Sequence, residues 1–503
     1  MSDWLIALSD SARSRAADQW AIEEIGISGL TLMEAAAGGL ADYVDRYVPE
    51  GLVVIVCGVG NNGGDGYAAA RLLRASGRQV TVLQAGDSER LSGDALAQLE
   101  LLSGAPPLPF DPALLDGASV VVDALLGTGF SGKPRGPVGK AIKALARCEV
   151  PIVAVDVPSG VDASSGEVLG DAVTAQMTVT FNADKPGLRI NPGRDHAGAV
   201  RVVDIGIPPG APLDEATVGL IIDEPLIALL PRRGAHSNKF TSGHLYVAAG
   251  SRGLTGAVVL ASTAAMRAGA GYVTACVPAS EQPVVAAQLV EVMQLSLAGD
   301  RGHHRREGAD QLRRAVLKRS GTVLLGPGLG ASKGAAAFAR QVASEIKAPL
   351  VIDADGLGAF AGRLNELKSC KGPTVLTPHE GELARLLDCG VSDVRQRRLK
   401  HVRAAAKAAK ATVILKGVDT LVCAADGLVA VSPGASPGLA TAGTGDVLGG
   451  VVGALLARGA DPFVAAAAAV RLHARAATIA AESVGTEGMI ASDVVAALPL
   501  AWS

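Results

Sequence analysis

The feature that most constrains this chain is an alternation. Short apolar runs rich in Val and Ile are separated by Ala- and Leu-rich stretches along all 503 residues. Residues 52–57, 80–83, 120–123, 152–156, 177–181 and 200–205 read as strands in the first part, and 245–248, 323–325, 350–353, 374–376 and 413–415 in the second. A strand that is apolar on both faces needs cover on both faces, which parallel sheets flanked by helices provide. The fold expected is α/β, built from parallel sheets.

The alternation is interrupted once. The strand-like VRVVDIGIP runs into IPPGAPLDE and then into the polar, basic PRRGAHSNKFTSG. At about 150 residues per domain, the length leaves room for two large domains, placed at 1–222 and 223–503. Each has its own glycine-rich motifs, so two enzymes joined in one chain are plausible.

Composition narrows the partners. Net charge is -3 and aromatics are 3%, so neither a basic surface for nucleic acid nor a base-stacking platform is expected. The basic run RQRRLKHVR (395–403) reads as an exposed helix face, and His303 and His304, in DRGHHRREG, as a solvated loop. Charges interrupt every long apolar run, so no membrane span is expected. Asp3 before a short apolar stretch is unlike an export signal. The six cysteines are far apart with no CxxC, which suits free thiols in the cytoplasm rather than a zinc site.

The first constellation follows the strand VVIVC. Gly58, Gly60 and Gly63 satisfy G-x-G-x-x-G before a helix, the arrangement that presents backbone amides to a diphosphate. GTGFSG (Gly127, Gly129, Gly132) repeats the spacing. The second strand ends in Gln84 instead of the acid that holds a ribose, which disfavours an ordinary hydride-transferring enzyme. Oxygen-bearing groups then follow three strands: Asn61, Asn62 and Asp65 after the first, Asp123 closing VVVD, and Asp156 with Ser159 in AVDVPSGVD. Parallel strands bring such ends to one crevice, and this donor set suits a weakly charged cation better than a soft metal. Lys185, in NADKPG, is a conceivable electrostatic partner, with a solvated surface lysine as the preferred reading.

CGVGNNGGDGYAAARLL, VVDALLGTGF, VAVDVPSGVDASSGE and TVTFNADKPGL, in this order over about residues 15–215, resemble the NAD(P)H-hydrate epimerase domain, a Rossmann-like αβα fold. LTLMEAAAGGLA also matches that family's N-terminal helix, with Ala36 where a basic residue is common. The resemblance implies interconversion of R and S epimers at C6 of a hydrated nicotinamide ring. It implies that Asn61, Asn62, Gly63, Gly64, Asp65, Gly127, Thr128, Gly129, Phe130, Ser131, Gly132, Lys133 and Asp156 hold the substrate, and that Asn62, Asp123 and Ser159 bind a potassium ion. Inverting C6 requires either the C6–O bond or the ring to open and close again. Asp156 is the carboxylate chosen to move the protons.

The second constellation is SPGLATAGTGDVLGGVVGALLARG. Val447, Leu448, Val451, Val452, Leu455 and Leu456 recur at helical spacing, with Gly443, Thr444, Gly445 and Asp446 at the helix start. Free amides there stabilise a transferring phosphoryl group, and Asp446 is placed to deprotonate an attacking hydroxyl. The motif resembles the ribokinase-like superfamily. With GSRGLTGAVVL, LLGPGLG, VIDADGL, LTPHEGELARL and LKGVDTLV, the second half resembles the ADP/ATP-dependent NAD(P)H-hydrate dehydratase. That likeness implies that Ala257, Gly328, His379 and Asp446 contact the hydrated cofactor. It implies that Lys416, Gly417, Val418, Asp419, Thr420, Ser436, Thr441, Ala442, Gly443, Thr444 and Gly445 hold ADP or ATP, with Mg²⁺ on its phosphates. Glu382 reads as structural support or as a water-mediated metal ligand, and His473 as a partly buried helix residue. The family's compact His-Lys-Gly signature is altered here to AHSNKFTSGH, so His236 and Lys239 receive no role.

The expectation is thus a bifunctional enzyme acting on hydrated NADH and NADPH, an isomerase joined to a lyase. ADP is the expected donor, and a homo-oligomer the expected assembly. Two other readings stand against it: a ribokinase-like kinase of a vitamin precursor, which would release a stable phosphoester, and a first domain that only binds partners or RNA.

Overall fold

A computed structural model describes residues 2–502. The chain divides into two compact units, one from Ala7 to Gly219 and one from Leu220 onward together with Ser2–Ile6.

The first unit is built on seven parallel strands in the order Leu108–Pro109, Val80–Gln84, Val53–Cys57, Val120–Ala124, Ile152–Val155, Met177–Phe181 and Ala199–Val203. VVIVC and VVVDA are buried at every position, as strands covered on both faces must be. Helices α1 (Ser11–Glu23), α2 (Gly29–Tyr47) and α3 (Asn61–Ala75) supply part of that cover. α2 starts at Ser28, whose side chain accepts the Thr31 amide, and buries Leu32, Met33, Ala36, Ala37, Leu40, Ala41 and Val44 at three- and four-residue steps. The chain runs outward from Val53–Cys57 in one direction and from Val120–Ala124 in the other. Between their C-terminal ends lies the switch point, where such sheets leave an open crevice.

The second unit carries an eleven-stranded sheet. Its seven strands from Met293–Leu297 across to Thr412–Leu415 are parallel. Here the expectation of a purely parallel sheet fails. Leu421–Cys423 and Val429–Val431 pair antiparallel in a meander, because residues 416–420 and 424–428 are too few for the crossover that parallel neighbours require. Tyr272–Pro278 and Met293–Leu297 are further strands that the apolar runs did not mark. This sheet has its own switch point, between His244–Ala248 and Thr322–Leu325.

Two charged stretches are more enclosed than expected. Arg398, in the basic run, is only 2% exposed and binds Glu380 (2.6 Å) and Asp419 (3.0 Å). His304 is buried, stacked on Phe338 with Nε2 2.9 Å from the Gly250 carbonyl, and it belongs to a two-residue ladder, not a solvated loop. In both cases the partner comes from elsewhere in the chain. The helix Pro462–Val484 is long and apolar enough to cross a membrane by length and composition. Most of it is buried in the second unit, where its Arg471 is bound by Asp223 and Ser432.

Candidate functional sites

In the first unit, the two strands beside the switch point end in CGVG and ALLG. Gly58 is required by close approach, since a Cβ there would lie 2.1 Å from the Leu125 carbonyl oxygen. The two loops thereby meet. At Gly127 a Cβ would lie 2.8 Å from the Asn62 side-chain oxygen and 3.2 Å from Asp156 Oδ2, so this glycine, Asn62 and Asp156 share one point.

Asp156 follows the strand Ile152–Val155 with φ +64°, a left-handed conformation rare for any residue but glycine. Its Oδ2 accepts from the Thr128 amide (3.0 Å) and the Thr128 hydroxyl, and its Oδ1 from Thr180 (3.2 Å). Lys185 Nζ lies 2.8 Å from Oδ1. The reading of Lys185 as a solvated lysine is therefore corrected: it is 2% exposed, and its ammonium also reaches Thr180 Oγ1 and the carbonyls of Phe181 and Ala183. Burial alone would raise the Asp156 pKa, but Lys185 and the Thr128 hydrogen bonds hold it below the ordinary carboxylate value.

Two further carboxyls stand near it with the opposite poise. Asp65, in α3, is pushed well above the usual range by burial and by Asp156 and Asp18. Asp18, on α1, is pushed up to about 6 by burial and Asp156, against the opposing pull of Lys185. No motif marked Asp18; only the folded position of α1 reveals it. The cleft has a volume of about 630 Å³ and is lined by Asp18, Asn61, Asn62, Asp65, Gly127, Thr128, Gly129, Phe130, Asp156 and Lys185 among others. Gly63 and Gly64 lie behind this lining, Gly64 against Met33 and Ala95. Ser131, Gly132 and Lys133 are not part of it.

Next to the cleft, Asp123 is fully buried. Its oxygens accept from Ser159 Oγ (2.7 Å), the Ser159 amide (2.8 Å) and the Leu125 amide (3.3 Å). Burial still outweighs these bonds and lifts its pKa to about 6. Among the described residues no cationic side chain pairs with it, and the buried Asn62 Nδ2 has no hydrogen-bond partner. The Asp123 carboxylate, the Ser159 hydroxyl and the Asn62 side-chain oxygen are donors of the kind a monovalent cation takes.

In the second unit, the helix Thr444–Ala457 begins at Gly443 (φ +90°), with no side chain capping its first amides. Asp446 lies in the first turn and is not the N-cap. Gly449, Gly450 and Gly453 serve packing, because a Cβ at Gly450 would lie 2.3 Å from the Ala261 carbonyl oxygen and one at Gly453 would strike Leu245. The Thr444 hydroxyl donates to the carbonyls of Leu439 (2.8 Å) and Thr441 (2.9 Å), tying the preceding loop to the helix start.

Lys416, at the end of the strand Thr412–Leu415, lies 3.2 Å from Asp353 and 3.8 Å from Glu382, and a Cβ at Gly445 would lie 3.5 Å from its Nζ. Burial lowers the Lys416 pKa, but Asp353 and Glu382 more than compensate and keep it charged. Asp446 is lifted to about 7 by burial and by Asp353 and Asp355, against Lys416. Glu382 supports the loop by accepting the His379 amide (2.8 Å), and the His379 ring accepts the Gly381 amide (3.0 Å). Gly328, beyond the strand Thr322–Leu325, lies against Ala257, whose Cβ would be 3.0 Å from a Cβ added at Gly328.

A cavity of about 430 Å³ opens beside the helix start and is lined by Lys416, Gly417, Val418, Thr420, Ser436, Thr444 and Gly445 among others. Asp419 faces away from it and binds Arg398. Thr441, Ala442 and Gly443 are also outside its lining. His473 lines it, with Nε2 buried and unpartnered, and burial lowers the His473 pKa to about 4 against a bond to the Thr444 backbone. Its apolar helical surroundings concealed this placement.

Comparison with known proteins covers both units. Residues 29–187 match the family of the YjeF-related protein N-terminus, and residues 245–500 match NAD(P)H-hydrate dehydratase. The bifunctional NAD(P)H-hydrate repair enzyme of Moorella thermoacetica is 36% identical over 498 residues, covering 96% of this chain and 94% of that one. Its namesake in Salinibacter ruber is 37% identical over 512 residues, with the same coverage. A ribokinase-like superfamily protein from Enterococcus faecalis has a similar fold, with a TM-score of 0.50, 24% identity, and coverage of 58% of this chain and 97% of that one. The chain belongs to the family of bifunctional NAD(P)H-hydrate repair enzymes.

Proposed function

We propose that the two crevices divide one repair between them. The first unit equilibrates the R and S epimers of hydrated NADH and NADPH, and the second returns the S epimer to NAD(P)H at the expense of ADP or ATP, with ADP preferred. The observation that carries this reading is Asp446 in the first turn of a helix with uncapped amides, within electrostatic reach of charged Lys416, where the preceding Thr444 and Gly445 line an open cavity.

Hydroxide is a poor leaving group, so the ring hydroxyl is exchanged for phosphate. Asp446, with a pKa near neutrality, accepts the hydroxyl proton as oxygen attacks the terminal phosphoryl group. The amides of residues 443–445 and the Lys416 ammonium face the charge that develops there. The ring nitrogen then expels phosphate and the dihydropyridine is restored. Ala257, Gly328 and His379 are assigned to the hydrated ring, and Lys416–Thr420 with Ser436, Thr441, Ala442, Gly443, Thr444 and Gly445 to the nucleotide. Mg²⁺ bound to the nucleotide would neutralise phosphate charge, and Asp353, Asp355 and Glu382 are oxygen donors of the type it takes.

In the first unit Asp156, kept ionised by Lys185, acts at the reacting carbon. Asn62, Asp123 and Ser159 are assigned to a potassium ion, which would offset the buried Asp123 charge and fix the loops around the substrate. All six cysteines remain thiols, which supports a reducing compartment, and we place the enzyme in the cytoplasm. We expect a homo-oligomer, to be checked by light scattering.

The test is incubation of purified protein with a mixture of R and S hydrates, Mg²⁺ and each nucleotide. Complete conversion with release of inorganic phosphate supports both activities. A plateau at the S fraction removes the epimerase, and a stable phosphoester removes the dehydratase.

A further inference from the structure

The first cleft holds more carboxyl groups than one base requires. Both Asp156 oxygens are already committed to Thr128, Thr180 and Lys185, an environment that keeps the group charged. A hydroxyl leaving carbon needs the reverse, a carboxyl that still carries its proton. Asp65 and Asp18 are the candidates. Asp65 and Asp156 are both 8% exposed, whereas Asp18 is exposed to the solvent from which its proton must be renewed. Asp18 is open to the cleft from α1, outside residues 29–187 matched by the N-terminal family, and the charged groups acting on it are Asp156 and Lys185.

We infer that Asp18 is the second acid–base group of this site, working with Asp156 so that the ring hydroxyl leaves as water and is replaced by solvent on the opposite face. The inference rests on reading the first unit as an epimerase, and it selects the C6–O route over ring opening. In the first step the C6–O bond breaks. The N1 lone pair forms C6=N1⁺, and the Asp18 proton goes to the departing oxygen to give water. In the second step a water oxygen bonds to C6 from the other face, its proton passes to Asp156, and N1 recovers its lone pair. One proton has moved from Asp18 to Asp156 and returns through solvent. The reverse reaction exchanges the two roles, so the pair holds one proton between them. The logic is that of two carboxyls serving the two faces of a sugar carbon.

The groups facing Asp18 are Asp156, Lys185 and Asp65, with Arg15 on its own helix also lining the cleft. Its elevated pKa means that epimerisation falls as pH rises past about 6.

The experiment uses the full chain without nucleotide, S hydrate as substrate and ¹⁸O-labelled water, following R hydrate by chromatography and its oxygen by mass spectrometry. The expected result is one solvent oxygen in each R molecule formed. Asp18→Asn should slow epimerisation about 100-fold or more and remove the decline above pH 6, while Asp18→Glu recovers part of the rate. Nucleotide-dependent dehydration of S hydrate in the same preparations reports that the second unit is folded, and an unchanged thermal unfolding profile by circular dichroism reports the same of the first. R hydrate that keeps its original oxygen, or wild-type epimerisation by Asp18→Asn, overturns the proposal. Asp156→Asn and wild type separate the claims: if Asp156→Asn is inactive while Asp18→Asn is active, only the role of Asp18 fails; if both variants are active, the role of Asp156 fails as well; and if wild type forms no R hydrate, the epimerase reading itself fails.

Discussion

Each unit places an aspartate within electrostatic reach of a lysine, yet the two aspartates are poised in opposite directions. Among the described residues Lys185 has Asp156 as its only ion-paired carboxylate, and Asp156 is held low. Lys416 is shared with Asp353 and Glu382, and Asp446, facing Asp353 and Asp355 as well, rises to about 7. The same pair of residue types thus yields a carboxylate held ionised in one site and a carboxyl that titrates near neutrality in the other. The balance of third parties decides which.

The largest expected effect breaks one side of this comparison. Asp446→Asn should lower nucleotide-dependent dehydration about 10²–10⁴-fold and leave epimerisation unchanged, which paired assays on one preparation will show. Lys185→Met strikes the other side. It leaves the Asp156 charge buried without a cation, so about 3–5 kcal/mol of stability should be lost, together with most epimerisation. Thermal unfolding measures the first loss, and an unchanged Tm would show that the pair contributes little.

The pH profile sharpens the contrast. As the proposed base, Asp446 must be deprotonated, so with a pKa near 7 the dehydration rate should rise about tenfold per pH unit below neutrality and level off above it. The smallest effect is a shift of that curve. Asp353→Asn removes a negative neighbour and frees Lys416 to act on Asp446, so the inflection should move to lower pH; an upward shift would contradict the assignment of causes.

What the chain discloses before folding follows the same division between local and distant causes. VVIVC and VVVDA announce themselves because burial on both faces requires an unbroken apolar run. The glycines of CGVGNNGG and the GTGD helix start are legible because backbone approach leaves a local mark. Lys185, Arg398 and His304 were misread as solvated because their partners, Asp156, Asp419 and the Gly250 carbonyl, are distant in sequence. Asp18 left no mark at all. Its importance comes from where α1 lies in the first unit. The antiparallel meander was missed for a different reason, since two five-residue connections carry its signal and the strands themselves do not.

The central claim is that two separable sites in one chain act in sequence on one pool of substrate. The most direct measurement mixes Asp156→Asn and Asp446→Asn proteins with R and S hydrates, Mg²⁺ and ADP. The account predicts that Asp156→Asn alone stops at the S fraction, Asp446→Asn alone forms no NAD(P)H, and the mixture converts the whole pool. Conversion of the R epimer by Asp156→Asn alone, or a mixture that still stops at the S fraction, would contradict it.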